Sequence, residues 1–207
     1  MSFDHILNEV KTYYGNKVTT YGPTAKGVDV NSEDSQFVRF EQLLKVCAIP
    51  EAISLNDYGC GYGALVQYLA QKSFRFTYHG FDISEEMIVA AKSLHGHRGN
   101  CAFSTDEASL PVSDYTIASG IFNVKLGTGV DEWKAFVLEV LTRIAASSKK
   151  GVAFNMLTGY ADRDRMRADL YYADPLFFFD YCKRHFSPHV SLLHDYPLYE
   201  FTILIRL

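Results

Sequence analysis

No stretch of the 207 residues stays apolar over the roughly 18 positions a membrane-spanning helix needs. The opening residues, Met1-Ser2-Phe3-Asp4-His5, lack the positive start and apolar core of a secretory signal. A cytoplasmic protein without membrane contact is therefore expected. Cysteine is sparse and scattered: Cys47, Cys60, Cys101 and Cys182 contain no C-x-x-C pair. That argues against a zinc knuckle or a disulfide framework, and no metal site is expected. Basic clusters are also missing. The net charge is −4, and only Lys149-Lys150 and Lys183-Arg184 stand out, so the electrostatic footprint of a nucleic-acid binder is absent. There is no internal repeat and no low-complexity segment, and nothing sets an oligomeric state. With 48% hydrophobic residues, the chain is long enough for one good core and too short for two comfortable domains.

What is present is an alternation of elements. A weakly amphipathic helix is expected at about 4–14, through Ile6, Leu7, Val10 and Tyr14. A polar, glycine-containing stretch, 21–29, follows. Ser32 then reads as the N-cap of a second helix running to about Cys47, with Glu33 and Asp34 in its first turn. Phe37, Phe40, Leu44 and Cys47 share one stripe of it, and Gln36 and Arg39 another face.

From residue 52 on, strands at 53–58, 76–81, about 101–103, 115–122 and 152–156 alternate with helices at 62–72, 84–94, about 131–147 and 176–184. Lys149, Lys150 and Gly151 read as the close of the 131–147 helix. Two β-rich runs, about 186–193 and 199–207, lie so close together that they can pair only as an antiparallel hairpin. The expected fold class is α/β: a Rossmann-like, doubly wound sheet with helices on both faces. Residues 1–50 are expected to form a helical cap or lid, and residues 51–207 a single cofactor-binding domain.

The most informative stretch is Leu55-Asn56-Asp57-Tyr58-Gly59-Cys60-Gly61-Tyr62-Gly63-Ala64, a glycine-rich turn between a strand and a helix. Glycines there take positive φ and let the backbone approach a ligand, while the helix start offers free N–H groups. Gly59-x-Gly61-x-x-Ala64 fits the dinucleotide fingerprint. Asp82 lies about 20 positions beyond, where a ribose-binding acid belongs in either of two cofactor classes. Three features separate them. Asp57 would repel a pyrophosphate but suits a cofactor bearing an ammonium and a sulfonium. Gly63 makes the glycine spacing even. The chain closes on an antiparallel hairpin instead of a second mononucleotide half.

On these residues the chain resembles the class I S-adenosylmethionine-dependent methyltransferases. Their (D/E)-x-G-x-G-x-G motif stands here as Asp57-Tyr58-Gly59-Cys60-Gly61-Tyr62-Gly63. The resemblance covers about residues 50–207. It implies a seven-stranded sheet, mostly parallel with the last strand antiparallel, and S-adenosylmethionine as cofactor. It places Gly59, Gly61 and Gly63 around the methionine moiety, Asp57 near the ammonium, Asp82 on the ribose, Ile83 against the adenine, and Asp106 or Thr105 near the adenine amine. Gln36 and Arg39 read as a clamp for the cofactor carboxylate.

On the acceptor side the candidates are Asn123, Tyr171, Asp174 and His194, with Tyr172 and Asn155 beside them. Asp174 before Pro175 also reads as a helix N-cap. The family's Asn-Pro-Pro-Tyr-type motif is replaced by Ile121-Phe122-Asn123-Val124, which argues against methylation of base amines in DNA. A small-molecule acceptor, with a hydroxyl favoured, is the expectation. A nicotinamide-dependent oxidoreductase and a non-catalytic cofactor-binding scaffold are the alternatives.

Overall fold

The computed structural model describes residues 2–47 and 52–207. The boundary placed between residues 50 and 51 lies outside the described residues. Seven strands form one sheet: β1 Ile53–Tyr58, β2 Phe76–Phe81, β3 Cys101–Ser104, β4 Ser113–Ala118, β5 Ser148–Leu157, β6 His189–Leu193 and β7 Glu200–Arg206. Their spatial order is β3-β2-β1-β4-β5-β7-β6. The first five pair in parallel, and β7 runs antiparallel between β5 and β6. This is the expected class, and its inserted antiparallel strand departs from the all-parallel 3-2-1-4-5-6 order of dinucleotide enzymes.

The helices are α1 Asp4–Tyr21, α2 Glu33–Leu44, α3 Ala64–Gln71, α4 Glu85–His95, α5 Val130–Ala146 and α6 Pro175–His185. Alternation along the central strands assigns the two faces. On β5, Val152, Phe154 and Met156 join Trp133, Val137, Phe178 and Ile6 in one core; Ala153 points into the other with Leu43, Leu65 and Ile88. On β7, Phe201, Ile203 and Ile205 belong to the first core and Leu204 to the second. The period of two therefore sends α1, α5 and α6 to one side and α2, α3 and α4 to the other.

Three local expectations need correcting. First, α1 runs seven residues past position 14, to Tyr21. Val18 is buried on the same stripe, and Gly22, at φ +67°, ends the helix with its N–H on the Val18 carbonyl. Second, Lys149, Lys150 and Gly151 lie inside β5, because α5 stops at Ala146 and the strand begins almost at once. Gly151 is needed there: a Cβ would stand 2.6 Å from the Ile205 carbonyl oxygen. Third, β4 ends at Ala118, since Gly120 at φ +74° turns the chain. Ile121, Phe122 and Asn123 therefore belong to a loop at the carboxyl edge of the sheet.

Candidate active site

At that carboxyl edge lies a cavity of about 850 Å³, walled by the loops after β1, β2, β4 and β5, by the β6–β7 turn, and by α1 and α2. The glycine loop forms its floor. Gly59 has φ +78°, and a Cβ there would come within 2.2 Å of Ile121 Cγ2. Gly61 has φ +54° and donates its N–H to Asp82 Oδ2 at 2.9 Å. Gly63 caps α3 but does not line the cavity; its missing Cβ makes room for His95 and Phe103 behind the loop. So two glycines face the cavity, and the third packs the loop against α4 and β3.

Two carboxylates stand in this floor. Asp57 is 3% exposed and accepts a 2.6 Å hydrogen bond from the Tyr78 hydroxyl. Burial pushes it up to about 7; the Tyr78 bond acts the other way, and Asp82 adds to the rise. Asp82 Oδ1 accepts from the Ser84 N–H at 2.9 Å. Burial pushes it up to about 6, against the two backbone N–H groups it accepts. No basic side chain is among the groups acting on either. A buried acid beside a half-buried one, with no basic partner, is costly unless a positively charged ligand completes them. Both line the cavity beside Ile83, Thr105 and Glu107. Asp106, by contrast, caps a short 3-10 turn through the Ala108 N–H and does not line it.

Gln36 and Arg39 both line the cavity from α2. Gln36 accepts a 3.0 Å hydrogen bond from the Tyr62 hydroxyl. Arg39 is forked onto Glu200, with Nε 2.9 Å from Oε2 and Nη2 bonded to Oε1. Two of its three nitrogens are thus committed inside the protein. The third, Nη1, lies 3.4 Å from where a Gly120 Cβ would stand, at the rim of the β4 turn.

Of the acceptor-side candidates, Asn123 faces the cavity. It is 7% exposed, and its Oδ1 accepts the Leu157 N–H at 3.0 Å, which leaves its amide N–H₂ toward Gly120. The structure does not bring the other three there. Tyr171 is buried in the core beneath, its N–H on the Asn123 carbonyl, while its neighbour Tyr172 lines the cavity. Asp174 caps α6 by accepting from the Leu176 N–H at 2.9 Å. His194 is exposed, against Tyr160 and Phe201, whereas Pro197, Leu198 and Tyr199 of the same turn line the cavity. Asn155, fully buried, accepts from the Gly120 N–H at 2.8 Å and donates to Glu200.

Several lining residues escaped the sequence reading. Tyr14, which in sequence is only one member of the α1 amphipathic stripe, lines the cavity. Asp29, at φ +56°, accepts from Lys17 at 2.7 Å and from the Tyr13 hydroxyl at 2.8 Å. Glu200 did carry a signal, as the one acid in a mostly apolar strand.

Comparison with known proteins agrees with this geometry. A family model described as "Methyltransferase domain" matches residues 57–149. "Putative methyltransferase Rv1506c" of Mycobacterium tuberculosis (strain ATCC 25618 / H37Rv) is 47% identical over 163 residues, covering 79% of this chain and 98% of that protein. Among solved structures, DhpI in complex with SAH superposes with a TM-score of 0.64 at 18% identity, over 98% of this chain and 97% of that one. Magnesium protoporphyrin IX methyltransferase (ChlM) from Synechocystis PCC 6803 with bound SAH superposes at 0.59 and 17% identity, over 100% of this chain and 88% of that one. At such identities the two structures share its fold.

Proposed function

We propose that this chain, which belongs to the class I S-adenosylmethionine-dependent methyltransferases, delivers its methyl group to a hydroxyl of a small molecule. The observation that carries the reading is the pair of acids, buried Asp57 and half-buried Asp82, lining one cavity with no basic side chain acting on either. The residues fit the cofactor: Asp82 accepts its ribose hydroxyls, Asp57 meets its ammonium, and the loop at Gly59 and Gly61 lets the backbone come close. When bound, the cofactor supplies a methyl group activated by a sulfonium.

The chain's own residues align and enclose. Leu7, Val10 and Val28 from the N-terminal segment, with Ile121 and Leu157 from the sheet edge, keep bulk water out. Residues 4–44 serve as the lid. Asn123, through its free amide N–H₂, and Arg39, through Nη1, are the donors that orient the acceptor oxygen. A cavity of about 850 Å³ sits in the upper part of the range for small-molecule sites, with room for a cofactor and a modest acceptor. No described helix is long and apolar enough to cross a membrane.

Titration calorimetry tests the reading. S-adenosylhomocysteine should bind and NADH should not; the reverse outcome would return the chain to the oxidoreductases. Asp82→Ala should weaken S-adenosylhomocysteine by about 2 kcal/mol, roughly 30-fold, since charge-assisted hydrogen bonds to the ribose are lost. Unchanged affinity refutes the ribose role. Asn123→Ala should slow transfer to whichever hydroxylated metabolite a broad panel yields, while leaving cofactor affinity intact. A panel that yields no acceptor at all would favour the scaffold alternative.

A further inference from the structure

β1 and β2 pair in parallel with Leu55 opposite Tyr78 and Asp57 opposite Gly80. Tyr78 is fully buried, and its register partner is not the residue it bonds: the hydroxyl reaches Asp57 Oδ2 at 2.6 Å, two positions further along β1. Gly80 explains the route. Tyr78 and Gly80, two apart on one strand, point to the same face of the sheet. A Cβ at Gly80 would stand 2.9 Å from Tyr78 Cε1, 2.8 Å from Cys60 Sγ and 2.9 Å from Phe103 Cδ1. The tyrosine ring therefore crosses the space a side chain at position 80 would occupy, and ends on the carboxylate in the cavity wall.

We propose that Tyr78 is a positioning residue for cofactor binding: its phenol O–H holds the Asp57 carboxylate where the cofactor's ammonium meets it, and Gly80 leaves the ring its path. This rests on the reading that Asp57 faces the ammonium. A phenylalanine would fill the same volume; the one extra oxygen donates to Asp57, with the Cys60 thiol as its other polar neighbour. The groups facing Asp57 are Tyr78 from β2, Cys60 in the glycine loop and Asp82 after β2, with Cys101 of β3 beside Tyr78. None is cationic. Of these, the Tyr78 bond is the one that favours the ionised carboxylate, against burial and Asp82.

The test is S-adenosylhomocysteine titration from pH 5.5 to 8.5 on wild type, Tyr78→Phe, Gly80→Ala and Asp57→Asn. Wild-type affinity should fall as pH drops through about 7, as Asp57 takes up a proton. In Tyr78→Phe that acid limb should move up by about one pH unit, giving roughly fivefold weaker binding near pH 7 and roughly tenfold well below it. The ligand's own ammonium titrates identically with every variant. Gly80→Ala keeps the phenol but displaces the ring, and should move the limb the same way, which covers the case of an unfolded Tyr78→Phe. Acid limbs that coincide with wild type in the folded variants overturn the proposal. If wild type does not bind, or Asp57→Asn retains wild-type affinity and limb, the underlying reading of Asp57 fails instead.

Discussion

Replacing Glu200 by Ala is expected to cost about 3–5 kcal/mol of stability. Glu200 opens β7, is 2% exposed, and is the carboxylate paired with Arg39 among the described residues; the Arg39 side chain is only 14% exposed. Removing it leaves a guanidinium charge inside the protein and strips the Asn155 amide of its acceptor. For a chain of this size, each kcal/mol moves the melting temperature by about 2–4 °C. A drop of about 6 °C or more in thermal denaturation is therefore expected, and a drop under 2 °C would show that the pair contributes no stability. Replacing both partners together, Arg39→Met with Glu200→Leu, should recover much of the loss, since no charge is left stranded. Its rate of methyl transfer then reports what Arg39 itself adds to the site.

Asp57→Asn should act in opposite directions on stability and on binding. Asp57 is pushed up to about 7 from an ordinary value near 4, so between those pH values the folded state holds more protons than the unfolded one. Stability then falls as pH rises from about 4 to 7 and levels off above. Asp82, pushed up to about 6, acts in the same sense over a narrower window. Three pH units correspond to at most about 4 kcal/mol. Asn keeps an oxygen for the Tyr78 hydroxyl without the charge, so the unliganded variant should melt several degrees above wild type at pH 8 and close to it at pH 4. Binding of S-adenosylhomocysteine should weaken by about tenfold or more, because the ammonium loses its counter-charge. Melting curves at both pH values, with and without ligand, read both effects. A variant less stable than wild type at pH 8 contradicts the account. An uncompensated acid in the empty site is a stability sacrifice of the kind binding sites often carry.

The elements were legible wherever a local period governed them. Val152, Phe154 and Met156, or Trp133, Val137 and Leu141, announce a strand and a helix because each pattern is complete within one segment. The glycine loop and Asp82 were legible for a related reason: their spacing of about 20 residues is the length of one helix and one strand. What escaped depends on register between distant segments. Arg39 and Glu200 are 161 positions apart, and their meeting follows from β7 being inserted beside β5. Tyr78 reads as one more apolar strand residue until the Gly80 gap is seen. His194 and Asp174 have the right chemistry in the wrong place. Asp174 is spent on the α6 terminus, and His194 points away from a turn whose next residues do reach the cavity.

The insertion of β7 has a consequence for how this protein is made. While a ribosome is still adding residues short of 200, strands β1 to β5 can already pair, but the edge of β5 lies open and Arg39 has no counter-charge. The segment that closes both emerges only after β5 and β6, and it must come to lie between them in the sheet. Until then the nascent chain carries an exposed template for wrong partners, as well as a half-built ligand chamber. Chaperone dependence and yield during synthesis should thus be governed by residues 200–206 more than by the glycine loop that does the binding.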